Sequence, residues 1–320
     1  MAKYIVEHRF ETAQDLLTAL TPWSDNLSLD GYIFRGHSNA DYQLVPTSLR
    51  ILPKEDIWDY SLAYASITGS TNDNDFSLAY VEYQLIRDFY RMADARGLHV
   101  PISDRLRKQL HQKVDFNTMS TWTDGDKWLP NDMLEVAAIA QHHGVPTRLL
   151  DWTYDPFVAA FFASKPSENV EGDLCIWGLN ARTVGMLENI GSEFPLKLVN
   201  THYGGNPNLA SQSGLFTHWA SSVPGVNSIA SGEIKELPRV DRRPLDSLLE
   251  GFLNGWTNNV SENMFVKLIL PKSQSIELAR QLRNFGYGPA KIFPGYEGVA
   301  MELKERPFLK KKKSESEMGQ

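Results

Sequence analysis

The chain has 320 residues, is 42% hydrophobic and 11% aromatic, and carries a formal net charge of -7. That size and apolar content suit one elaborated globular domain or two small ones and exclude a disordered chain. The acidic total argues against indiscriminate nucleic-acid binding while allowing a local basic groove, and the single cysteine, Cys175, excludes a disulfide framework and a cysteine-based metal site.

The N-terminus, MAKYIVEHRFET, has no apolar core of a signal peptide. No apolar run approaches the roughly 20 residues of a membrane span. The expected location is therefore the cytoplasm, with no membrane partner. Phe10 to Leu20 has helical spacing behind a polar start. Tyr32 to Arg35 reads as a strand that delivers an arginine into Gly36-His37-Ser38.

Residues 66–75 (SITGSTNDND) read as a polar, turn-rich loop. Ser77 to Ala95 is an amphipathic helix with an apolar stripe through Leu78, Tyr80, Val81, Leu85, Phe89 and Met92, stopped by Gly97. Residues 117–131 read as an insertion, with Trp122 and Trp128 in polar company. Leu134 to His143 is a helix closed by Gly144.

Thr147 to Trp152 is a strand or extended turn, and Asp155-Pro156 opens a helix to Ala163. Strands follow at Asp173 to Leu179 and Phe265 to Leu270. The stretch 199–232 is loop-rich, and 218–262 reads as an insertion. Ser273 to Phe285 is a helix, and two last strands are expected at Lys291 to Phe293 and Val299 to Leu303. The tail, 305–320, is rich in Lys, Ser and Glu and is expected to be flexible and solvated. Short strands mixed with short helices predict an α+β fold of small mixed or antiparallel sheets flanked by helices. No Gly-x-Gly-x-x-Gly and no Walker sequence is present.

The densest chemistry lies in QHHGVPTRLLDWTYDPFVAAFFASK, residues 141–165. Gln141, His142, Thr147, Arg148, Asp151 and Thr153 are polar residues threaded through a core-forming run. Arg148 and Asp151 are near enough to pair, as an ion pair that orients a loop or as a frame for a catalytic Asp151. His142 and His143 point about 100° apart on a helix, so they do not favour a shared metal ion. No metal is expected. Arg35, at a strand end before a glycine, offers a planar fork of donors to a carboxylate or a diphosphate, or an internal pair to Asp41 or Glu297. Glu297, in IFPGYEGVAMEL, reads as a carboxylate in a turn between two strands, open to a cleft or to water.

Several of these segments together are familiar. FRGHSNADYQLVPTSLR, VEYQLIRDF, QHHGVPTRLLDWTYDPFVAAFFA, ASQSGLF and KIFPGYEGVAMEL resemble the FRG domain family, named for a triplet found here at Phe34-Arg35-Gly36. The resemblance runs from Phe10 to Lys304, as a single domain over 1–304 with insertions near 66–75, 117–131 and 218–262. Its layout is similar to the ADP-ribosyltransferase fold, with an Arg on an early strand, a Ser or Thr on a second, and a Glu on a late one. The resemblance implies an NAD-dependent ADP-ribosyltransferase or NAD glycohydrolase, as a toxin or phage-defence effector. Arg35, Thr153 and Glu297 are then the catalytic set. Arg35, Gly36, His37, Gln141, His142, Arg148, Trp152, Tyr154 and Phe216 are then the groups around NAD. The acceptor, protein or nucleic acid, is left open, as is the oligomeric state. The alternative is an FRG module that binds nucleic acid or a protein partner without NAD chemistry.

Overall fold

The computed structural model describes residues 4–24, 27–50, 57, 74–108, 110, 123, 125–165, 171–191, 193–204, 206–256 and 263–317. Most of the expected 66–75 loop, Trp122 and residues 117–122 lie outside these.

Among the described residues the chain is mixed α/β. Nine strands are present: β1 (Ile5–Arg9), β2 (Tyr32–His37), β3 (Lys127–Trp128), β4 (Leu149–Thr153), β5 (Asp173–Asn180), β6 (Leu196–Val199), β7 (Gly214–Trp219), β8 (Ser221–Ser222) and β9 (Phe265–Pro271). Seven form one mixed sheet in the order β1-β9-β5-β2-β4-β7-β6, and β3 pairs with β8. Instead of the expected small sheets, one continuous sheet runs through the molecule. The interior strand β5, flanked by β9 and β2, is buried along most of its length, which its apolar run Leu-Cys-Ile-Trp requires.

Alternation along the strands sends side chains to two cores. Leu174 and Ile176 of β5 join Leu268 and Leu270 of β9 under the helices Ala13–Ala19, Pro156–Ala163 and Ser275–Asn284. Cys175, Trp177 and Leu179 face the other way, toward Val184, Leu187, Leu249 and Leu253. The helix Leu245–Trp256 therefore covers one sheet face, although it lies in a stretch that reads as an insertion. A further core joins the helix Asp75–Ala95 to the helix Leu134–His142 and to Leu149 and Phe216 of the sheet. Trp128, expected in a peripheral insertion, is buried in that core.

The C-terminal expectation is corrected. Lys291 to Phe293 and Val299 to Leu303 are not strands. The chain forms the helix Pro289–Ile292, turns at Gly295 with φ 128°, and runs on as the helix Tyr296–Glu317. Val299, Met301 and Leu303 alternate as a strand would, but all three are exposed. Lys and Glu, strong helix formers, carry the helix into the tail that the composition marks as loose.

The sheet has one weak seam. β2 pairs with β5 over six residues, but with β4 only at Phe34 and Thr153. Beyond that pair the two strands part, and the gap between them is where the candidate site lies.

Candidate functional site

The gap opens into a cleft of about 430 Å³, within the usual range for a small-molecule site. β2 supplies Arg35 and His37, β4 supplies Asp151, and the end of the helix Leu134–His142 supplies Gln141 and His142. Phe162 and Phe293 also line it, with ring centroids 6.2 Å apart and planes at 83°.

Arg35 bridges the parted strands. Its Nη1 donates to the Asp151 carbonyl at 2.8 Å and reaches the Asp151 carboxylate at 3.3 Å. Its Nε donates to His37 Nε2 at 3.0 Å. Because that ring nitrogen accepts, Nδ1 carries the proton and donates to the Tyr42 carbonyl, 3.1 Å away. Burial, and next the Arg35 charge, push the His37 pKa down to about 3, so the ring is neutral at pH 7. A neutral imidazole is what lets it accept from a guanidinium. Arg35 Nη2 has no protein partner among the described residues, and it is the donor left for a ligand.

Asp151 is the carboxylate of the cleft. Its side chain is 58% exposed, and Oδ1 accepts from Gln141 Nε2 at 2.6 Å. Gln141 is oriented in turn by the Thr147 hydroxyl, which donates to its Oε1, while Leu149 N–H donates to Thr147 Oγ1 at 3.2 Å. His142 has its pKa lowered by burial and by His143, against an opposing pull from Asp151.

The fold corrects the expected roles of several single residues. Arg148 does not pair with Asp151 and does not line this cleft. Residues three apart on an extended chain point to opposite faces, and Arg148 turns into the core. Its Nε donates to Glu82 at 2.7 Å, its Nη2 lies 2.7 Å from Asp75, and its Nη1 donates to Ser221. Glu82 also accepts from Ser48 and from Trp128 Nε1. Arg35 in turn meets Asp151 rather than Asp41 or Glu297.

Glu297 lies in the first turn of the helix Tyr296–Glu317, exposed, and not in the cleft lining. The proline and glycine before it start a helix and not a second hairpin strand. Tyr154 is also outside the lining, with its hydroxyl on Asn200. Trp152 borders the cleft, but its indole is buried and donates to Thr217 at 2.8 Å. Thr153 borders it too, with its hydroxyl committed: it donates to the Gln212 carbonyl at 2.6 Å and accepts from Asp155 N–H. Phe216 lines the cleft and reaches into the core below.

Gly36 lines the cleft for a different reason than ligand access. A Cβ there would stand 1.9 Å from the Ala159 carbonyl oxygen, so glycine is what lets the helix Pro156–Ala163 press onto β2. Two basic residues stand beside the site: Arg50 closes the FRGHSNADYQLVPTSLR segment, whereas Arg242 gives no local signal and is brought there by the fold from a distant segment.

A family model described as the FRG domain matches residues 30–171. The chain carries an FRG domain. The matched segment supplies Arg35, His37, Gln141, His142 and Asp151, whereas Phe216 and Phe293 come from beyond it. No curated protein and no solved structure matches the chain. Among the described residues no group of three or more His, Cys, Asp or Glu is placed to hold a metal ion, and no helix is long and apolar enough to cross a membrane.

Proposed function

We propose that the FRG cleft binds NAD and cleaves its nicotinamide–ribose bond, passing ADP-ribose to water or to an acceptor. The observation that carries this reading is the exposed Asp151 carboxylate, held by Arg35 and Gln141 at the edge of an aromatic-walled cleft.

The chemistry asks for few parts. The bond breaks as nicotinamide leaves with the bonding electrons, and positive charge develops on the ribose, as in glycoside hydrolysis. A carboxylate within reach stabilises that charge, and Asp151 takes this role in place of Glu297. Phe162 and Phe293 offer apolar faces for the nicotinamide ring. Arg35 offers Nη2 to a phosphate oxygen. His142, neutral near pH 7, is placed in the same cleft to take the proton of the attacking water or hydroxyl.

Nicotinamide release from NAD by the purified chain tests this, with Asp151→Asn and Glu297→Gln in parallel. The expected result is release by the wild type, a fall of about 100-fold or more in Asp151→Asn, and an unchanged rate in Glu297→Gln. No release by the wild type, with and without cell extract as a source of acceptor, overturns the reading. Full release by Asp151→Asn removes Asp151 from the chemistry.

A further inference from the structure

A second cavity of about 740 Å³ adjoins the cleft. Arg35, His37 and Tyr42 line both, so the two spaces meet at the parted strands. The second is lined by three guanidinium groups, on Arg35, Arg50 and Arg242, against one carboxylate, on Asp41. His37 contributes no charge at pH 7. Asp151, paired with Arg35 at the junction, adds a second carboxylate, so the groove gathers three guanidinium groups and two carboxylates on a chain whose total is -7.

Arg50 is anchored and still has donors to give. Its Nε donates to the Val45 carbonyl at 2.8 Å, and neither terminal nitrogen has a protein partner among the described residues. Arg35 likewise keeps Nη2 open. Like charges gathered in one concave place favour an anion with spread charge, and planar guanidinium forks suit phosphate oxygens. Tyr42 stands at the junction, 57% exposed, with its ring held edge-on to His37 at 6.2 Å and 68°. A fixed, exposed aromatic ring beside a basic groove is a stacking platform for a base.

We propose that this groove is a subsite for a nucleoside diphosphate, with its phosphates on Arg35 and Arg50 and its base on Tyr42. The proposal deepens the NAD reading, since it gives the ADP half of the dinucleotide a place of its own, and it rests on that reading for the choice of ligand.

Calorimetric titration of the full chain with ADP and with inorganic pyrophosphate tests it, using wild type, Arg50→Gln and Tyr42→Ala. Glutamine keeps a donor for the Val45 carbonyl while removing the charge. ADP is expected to bind the wild type and to bind both variants about tenfold more weakly or worse. Pyrophosphate is expected to weaken with Arg50→Gln only, which separates phosphate recognition from base recognition. The proposal is overturned if ADP does not bind the wild type, if Arg50→Gln binds ADP as tightly, or if a single-stranded oligonucleotide binds more tightly than ADP at the same salt. ADP has no nicotinamide bond. ADP binding without NAD turnover therefore keeps the subsite and removes the enzyme reading, and turnover without ADP binding does the reverse.

Discussion

Two arginines of the FRG domain each meet a carboxylate and each stand beside a neutral histidine, yet they sit in opposite settings. Arg148 is sealed. It and Glu82 are both buried, and Asp75, Ser48, Trp128 and Ser221 close around them. Arg35 is open: its partner Asp151 is mostly exposed, and one of its terminal nitrogens is left over. The sealed pair ties the helix Asp75–Ala95 to the sheet. The open pair keeps its donors and acceptors available at a cavity. The same ionic chemistry is thus structural or functional according to what is left unspent.

Breaking the sealed site should have the largest effect. Arg148→Ala leaves Glu82 and Asp75 without their cation inside the protein, and a loss of about 3–5 kcal/mol is expected from urea unfolding. A loss below about 1 kcal/mol would show that the network is dispensable and erase the contrast.

Gly36→Ala comes next. Its methyl group meets a backbone carbonyl that cannot swing away, so the cost should reach about 3 kcal/mol or more, at the upper end of overpacking. Thermal melting reads this directly, and a melting point equal to wild type would return Gly36 to the role of a ligand-access residue.

The histidines sharpen the comparison through pH. Burial, and next Arg148, lower the His218 pKa to about 4, while His37 lies at about 3. Unfolded, both titrate near 6.5. Below that value the unfolded chain takes up protons that the folded chain refuses. The stability present above pH 6.5 is therefore lost as pH falls toward 4 and then 3, with a slope of up to about 1.4 kcal/mol per pH unit for each histidine. Urea unfolding at pH 7, 6 and 5 should show this fall, and His37→Gln should remove one histidine's share of the slope. An unchanged slope in that variant would mean that His37 is charged in the folded state.

The smallest effect on stability belongs to the open pair. Arg35→Ala should cost about 1–2 kcal/mol, since the half-buried Arg35 gives up its bond to His37 along with its ion pair, while nicotinamide release falls steeply. A large loss of stability with release intact would reverse the assignments of the two arginines.

Much of the frame is legible locally. The stripe from Leu78 to Met92, the Asp155-Pro156 start and the apolar run from Leu174 to Trp177 each signal their element within a few residues. The C-terminal region misleads because Val299, Met301 and Leu303 imitate a strand's alternation. At the site, Arg35 is visible as a strand-end arginine. Its partner is not, because the arginine nearest Asp151 in sequence is Arg148. Taking Leu149, Asp151 and Thr153 as one face of a strand separates Asp151 from Arg148. Arg50 ends a recognisable segment, but no pattern places Arg242 beside it, since only the fold makes them neighbours.

The narrow seam between β2 and β4 also divides the way the sheet can be assembled. β4, β7 and β6 lie within residues 149–219 and pair with one another, so their contacts need only that stretch of the chain. The other portion joins β1, at residues 5–9, to β9, at residues 265–271. Pairings that span so much chain form slowly, because loop-closure entropy must be overcome first. During synthesis the first portion can form while β9 is still unmade, and β1 waits with its edge unpaired until residues 265–271 have emerged.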